Sequence, residues 1–345
     1  MNPGCYTALA TPFRDGQVDY DDLEKLVAFQ VENGITGILA VGTTGESPTL
    51  DWEEHNKVIE TVASCLKQND CLCIAGTGSN NTKETLAGTE HAAHTGADAV
   101  LLVDPYYNGP SSLEIRREYV APVAAAFPEM EIIPYVIPGR TGCQLLAEDL
   151  ALLFKDYPNV NTVKEATGDI ENMRHTRACC GPEYTILSGD DPMTFEMMTD
   201  PAVKAAGVIS VLSNVAPAAV VQMVQLLLAG EASKAQKVLD AMGPLFSLVT
   251  VKTTEQTPHG EVVCRARNPL ALKTLMAILG MPAGGCRPPL GKMSANGVEK
   301  VLSATRTVQN NNPEILQPVA DFFNVDIDAR LNDPASLKGL FYDEY

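Results

Sequence analysis

A short apolar run, a turn-rich polar stretch and a helical pattern recur along the first two thirds of the chain. The apolar runs cover residues 6–10, 37–41, 71–75, 99–103, 132–136, 160–163, 185–187 and 208–211. Helical periodicity follows at 21–33, 52–66, 82–95, 112–127, 147–157, 170–180, 192–198 and 217–229. The second helix opens on Asp51 as a plausible N-cap, with Glu53 and Glu54 where the helix dipole favours negative charge. Alternating strands and helices are the signature of βα units around a parallel sheet. Eight such units predict a closed α/β fold, a (β/α)8 TIM barrel, rather than an open sheet. Its active site then lies at the carboxyl ends of the strands.

The strand pattern stops near residue 229. Helical stretches follow at 232–248, 269–279 and 295–307, separated by a polar, irregular stretch at 250–267 that reads as a loop. The expected organisation is a barrel over 1–230, a C-terminal helical appendage over 231–310 and an acidic tail over 311–345. The tail's aromatic residues, Phe322 and Phe323 among them, suit docking on the body or on a neighbour.

Acidic residues number 43 against 25 basic ones, and no basic block offsets the net charge of −18. That balance argues against nucleic acid or an anionic membrane as a partner. Nine cysteines without a C-x-x-C read as small hydrophobes of a reduced compartment. With the first strand beginning almost at once and no stretch of about 20 apolar residues, a cytoplasmic protein is expected. His91 and His94 form the one helical histidine pair, with no third ligand nearby, so no metal is expected.

Lys164 is the most informative single residue. It follows the apolar run ending at Val163 and precedes Thr167-Gly168-Asp169, a turn able to open a helix. An amine in a poorly solvated pocket is held neutral and can attack a ketone to form a Schiff base; a strand-end lysine that snorkels to solvent is the plainer alternative. On a barrel, the residues past the other strands converge on the same rim. They include Gly42-Thr43-Thr44-Gly45, whose backbone N–H groups and hydroxyls suit a carboxylate or small phosphate unless it is an ordinary βα loop. Arg140, in Pro138-Gly139-Arg140-Thr141-Gly142, is a carboxylate clamp or a surface ion pair. Tyr135 is a proton carrier or a satisfied core tyrosine. Tyr106-Tyr107 suggests a contact surface or a lid.

Taken together, Gly42-Thr43-Thr44-Gly45-Glu46-Ser47, Pro105-Tyr106-Tyr107-Asn108, Tyr135 with the arginine turn, Val163-Lys164-Glu165-Ala166-Thr167-Gly168-Asp169 and Leu187-Ser188-Gly189-Asp190-Asp191 fall in one order. In that order and spacing the chain, over roughly residues 1–310, resembles the dihydrodipicolinate synthase family of pyruvate-dependent class I aldolases. The resemblance implies a lyase that condenses pyruvate with L-aspartate 4-semialdehyde in lysine and diaminopimelate biosynthesis. Lys164 would form the Schiff base, Tyr135, Thr44 and Tyr107 would relay protons, and Tyr107 would reach in from a neighbouring subunit of a homotetramer or homodimer. Thr43 and Thr44 would hold pyruvate, Arg140 the second substrate's carboxylate, and Gly189 and Ile209 would line the lysine pocket. No metal or organic cofactor is called for.

The same resemblance implies a feedback site for L-lysine, with Ser47, Trp52, His55, Asn80, Glu84 and Tyr106 matching its residues. Arg140 separates the chain from the sialic acid lyases, which are similar around the lysine. Val136 departs from the family, which usually has asparagine after the tyrosine, and residues 250–267 and the tail have no family counterpart. The competing readings are a related pyruvate aldolase acting on a sugar acid and a catalytically silent barrel that binds a keto acid.

Overall fold

The computed structural model describes every residue of the chain except Gln68. Eight parallel strands close into a barrel: β1 (Gly4–Ala8), β2 (Gly37–Ala40), β3 (Leu72–Gly76), β4 (Ala99–Val103), β5 (Glu131–Val136), β6 (Thr162–Glu165), β7 (Thr185–Ser188) and β8 (Gly207–Ser210). Each pairs with its chain neighbours, and β1 closes the ring on β8, with Tyr6 opposite Ile209. Alternation along the strands sorts the side chains into two cores. Leu39, Ile74, Leu101, Ile133, Leu187 and Ile209 fill the barrel interior, while their neighbours Ile38, Cys73, Val100, Ile132, Ile186 and Val208 pack outward beneath the helices. Both faces are covered, which is why the strands read as unbroken apolar runs.

Two boundaries differ from the sequence pattern in a way that matters. Residues 160 and 161 precede β6, and Lys164 lies inside the strand rather than past its end. The polar letters Lys164 and Glu165 concealed this. Glu165 is tolerated because Thr167 and Asn172 donate to its carboxylate at 2.6 and 2.9 Å. The helix following β6, Ile170–Cys180, opens on Asp169, whose side chain accepts from Glu171 N. Asp51 likewise caps the helix Trp52–Leu66, as the sequence suggested.

The stretch 250–267 is not a loop. It is a β-hairpin, β9 (Thr250–Thr257) with β10 (Gly260–Arg267), paired antiparallel from Thr250 opposite Arg267 to Thr257 opposite Gly260. Its residues look irregular because a two-stranded ribbon leaves most side chains partly in water. Burial alternates along both strands, but only Val251 and Thr253 are fully buried, and the less exposed positions include polar residues such as Thr253, Glu255 and Thr257. Cysteine burial is also less uniform than expected: five are buried, while Cys65, Cys179, Cys264 and Cys286 are half-exposed, and all nine are unpaired.

Beyond the barrel come the helices Ala232–Phe246, Leu270–Leu279 and Ala295–Asn311. The tail folds back on the body. Phe322 and Phe323 set their rings 5.3 and 5.1 Å from Phe29 of the first helix, Tyr20–Glu32. Arg330 donates to the carbonyls of Ala277 and Ile278, two of the terminal acceptors that a helix cannot satisfy internally. Among the described residues, no helix is long and apolar enough to cross a membrane.

Candidate active site

Lys164 points into the barrel mouth and is 4% exposed. In register beside it on β5 stands Tyr135, and Lys164 Nζ lies 4.3 Å from the centroid of that ring. Among the described residues, Nζ has no hydrogen-bond acceptor and no ion-pair partner. Burial therefore pulls its pKa from 10.5 down to about 7; Asp191 opposes the shift and the Arg140 charge adds to it. Asp191 stays at a distance because its carboxylate is engaged elsewhere, accepting from Val211 N and Leu212 N at 2.9 and 3.0 Å. Gly189 gives the lysine stem its room: a methyl group there would sit 3.0 Å from Lys164 Cε and 2.9 Å from Ala166 Cβ. Ile209 is fully buried in the interior core below.

Tyr135 is also buried, and its phenol is pushed up to about 12, chiefly by burial; Arg140 and Thr43 act against the shift and Asp190 with it. The barrel mouth thus holds an amine that sheds its proton readily beside a phenol that keeps its own.

The loop after β2 is bent hard. Val41, a β-branched residue, has φ 48° and Glu46 has φ 57°, both left-handed. Such conformations cost on the order of 1–3 kcal/mol each and persist where surroundings enforce them. Here the enforcement is visible. Thr11 Oγ1 donates to Gly45 O at 2.7 Å, Lys273 Nζ donates to Glu46 Oε1 at 2.7 Å, and Arg287 N donates to Glu46 Oε2 at 2.9 Å. The bend presents Thr43 to the cavity and buries Thr44. Arg140 enters from a short helix, Pro138–Thr141, and its guanidinium is lowered from the ordinary value, first by burial.

One residue that the sequence did not single out ties these parts together. Asn268 follows the hairpin; its side chain donates to Thr44 Oγ1 at 3.0 Å and its carbonyl accepts from Arg140 Nη2 at 3.1 Å. Its Oδ1 is buried without a partner among the described residues. Tyr107, in contrast, is not brought into the site: its side chain is 84% exposed, and its N–H donates to Asn80 Oδ1.

Ser47, Trp52, His55 and Tyr106 line the same cavity of about 390 Å³ that Thr43, Tyr135 and Arg140 line. Asn80 and Glu84 act on its wall, Asn80 accepting from Tyr106 N at 2.7 Å and Glu84 from Ser79 Oγ. His55 packs against Trp52 with ring centroids 5.0 Å apart, and burial brings its pKa down to about 4.

Known proteins share both the sequence and the fold. Residues 1–307 match the model of the dihydrodipicolinate synthetase family. A protein of Methanococcus maripaludis (strain C5) named 4-hydroxy-tetrahydrodipicolinate synthase is 38% identical over 305 residues, 88% of this chain and 98% of that one. The structure of the 4-hydroxy-tetrahydrodipicolinate synthase of Methylacidiphilum fumariolicum SolV superposes with a TM-score of 0.82 at 33% identity, covering 92% of this chain and 99% of that one. The enzyme of Cyanidioschyzon merolae, solved with lysine bound, superposes with a TM-score of 0.80 at 32% identity, covering 88% and 97%. By sequence and by fold, the chain belongs to the dihydrodipicolinate synthetase family.

Proposed function

We propose that this chain joins pyruvate, held as a Schiff base on Lys164, to L-aspartate 4-semialdehyde: the 4-hydroxy-tetrahydrodipicolinate synthase reaction of lysine and diaminopimelate biosynthesis. The observation that carries this reading is the Lys164 amine, buried in the barrel mouth without an ion-pair partner among the described residues and in register with a protonated Tyr135. A neutral Nζ adds to the ketone carbon of pyruvate and water leaves, with Tyr135 supplying the proton for the departing oxygen. The resulting iminium draws electrons, so loss of a methyl proton gives an enamine that attacks the aldehyde. The amine of the semialdehyde then displaces Lys164 as the ring closes. None of these steps calls for a metal or an organic cofactor.

In this scheme Thr43 and Thr44 hold the pyruvate carboxylate, Gly189 and Ile209 shape the lysine pocket, and Arg140 binds the carboxylate of the semialdehyde. The exposure of Tyr107 supports its service in the site of a neighbouring copy within a homotetramer or homodimer. The shared cavity wall, together with the lysine-bound relative, supports L-lysine as a feedback ligand of Ser47, Trp52, His55, Asn80, Glu84 and Tyr106. Nine unpaired cysteines support work in the cytoplasm.

The test is a coupled assay supplying pyruvate with a panel of aldehydes. Turnover with aspartate 4-semialdehyde well above that with sugar-acid aldehydes is expected, and the reverse order would sink the reading. Lysine in the millimolar range should lower the rate; an unaffected rate removes the feedback site.

A further inference from the structure

The base of the hairpin brings a second guanidinium to Arg140. Arg267, the last residue of β10, donates from Nη1 to Gly139 O at 3.4 Å, and Gly139 is the residue before Arg140. Arg140 in turn donates from Nη2 to Asn268 O at 3.1 Å, and Asn268 is the residue after Arg267. Each arginine therefore reaches a carbonyl adjacent to the other, and the two like charges stand close enough for Arg267 to act on Arg140.

Other partly buried arginines of this chain have a carboxylate or more than one carbonyl within reach. Arg116 pairs with Asp149 and Arg287 with Glu54, each at 2.5 Å. Arg177 donates to the carbonyls of Gly181, Tyr184 and Val203 among others. Arg140 and Arg267 have one carbonyl apiece and, among the described residues, no carboxylate within 4.0 Å, in a chain with 43 acidic side chains. Two guanidiniums carry about ten N–H donors in two rigid forks, a geometry matched to a carboxylate. Like charges kept adjacent with donors in such excess are the arrangement expected where an anion is gripped from two sides.

We propose that Arg267 is a specificity-determining contact for the carboxylate of the aldehyde substrate, gripping it together with Arg140, so that the hairpin completes the acceptor subsite. This rests on the reading that Lys164 condenses pyruvate with a carboxylate-bearing aldehyde. A purely structural Arg267 would instead staple the hairpin to the 138–142 turn through Gly139 O. Arg267→Gln separates the two, because its amide still donates to that carbonyl but carries no charge.

The experiment measures steady-state constants for both substrates in wild type, Arg267→Gln and Arg267→Lys. For Arg267→Gln, KM for aspartate 4-semialdehyde should rise about tenfold, the scale of one lost charge-assisted hydrogen bond, while KM for pyruvate moves less than twofold; Arg267→Lys should recover part of the loss. Raising salt should weaken semialdehyde binding more in wild type than in Arg267→Gln. A KM for the semialdehyde that does not move, or KM values for both substrates that rise together, overturns the proposal. Borohydride trapping of pyruvate on the wild-type protein separates the two levels. Wild type that traps pyruvate while the semialdehyde KM ignores Arg267 loses this proposal alone, and wild type that traps none at Lys164 loses both.

Discussion

Tyr135 and Lys164 occupy one rung of the barrel, paired across β5 and β6, with the lysine nitrogen 4.3 Å from the ring centroid. The aromatic face attracts a cation by about 0.5–2 kcal/mol. Burial works the other way and moves the amine from 10.5 to about 7, where each tenfold change in proton affinity is worth about 1.4 kcal/mol. Burial wins, and the ring serves as a wall rather than a counter-ion. The carboxylate that acts on the amine, that of Asp191, is occupied by two backbone N–H groups, and among the described residues the amine has no direct partner.

The first consequence is a pH profile. Formation of the pyruvate adduct requires neutral Nζ, so its rate should rise with pH through about 7 and then level off. Stopped-flow or quench measurement of adduct formation checks this. A midpoint near the ordinary lysine value of 10.5 would mean a solvated amine.

A second consequence concerns stability. Between pH 7 and 10.5 the unfolded chain holds a proton on Lys164 that the folded chain has released, so the unfolded state binds more protons and stability rises with pH. Below that window the folded state bears the full penalty. Lys164→Met should therefore be more stable than wild type at pH 7, with the gap closing by at most about 1.4 kcal/mol per pH unit as pH approaches 10. Denaturant melts at pH 7, 8 and 9 measure the gap.

Asn268 is expected to act through its neighbours. Asn268→Ala removes the donor to Thr44 Oγ1 and leaves the fold's other contacts in place. We expect kcat to fall roughly 10- to 100-fold, the range associated with supporting groups, with KM for pyruvate rising less. Unaltered kinetics would show that Thr44 holds its place unaided.

Lys273 provides the contrast with Lys164. Equally buried, it donates to Glu46 Oε1, Thr11 O and Gly285 O, so its three protons each have an acceptor. Removing one partner from a buried pair costs about 3–5 kcal/mol. Lys273→Met should destabilise by that order in denaturant melts, and it should also free the bend between the strained residues Val41 and Glu46. The double variant Lys273→Met with Glu46→Gln should lose less than the sum, which a double-mutant cycle resolves.

Gly189 sets the space available to the nucleophile. Gly189→Ala should displace the Lys164 stem and cut adduct formation at least tenfold, because its Cβ meets Lys164 Cε at 3.0 Å. Wild-type rates of adduct formation would show that the stem yields freely.

Sequence patterning revealed the eight strands because each is buried on both faces, and the ordered motifs pointed to Lys164, Tyr135, Thr44 and Arg140. It shifted β6 because the pattern cannot distinguish a lysine with a buried stem from one past the strand end. It missed the hairpin because polar residues, Thr253, Glu255 and Thr257 among them, take the less exposed positions of its first strand. Asn268 and Lys273 escaped for another reason. Their partners Thr44 and Glu46 lie 224 and 227 residues away in the chain, and only the packing of the segment beyond the barrel against the loop after β2 brings them together.

The most direct measurement is borohydride reduction of the protein in the presence of pyruvate, followed by mass analysis of its peptides. One three-carbon adduct is predicted on the peptide containing Lys164, lost in Lys164→Met. An unmodified Lys164 peptide, or an adduct on another lysine, would contradict a Schiff-base role for this buried amine.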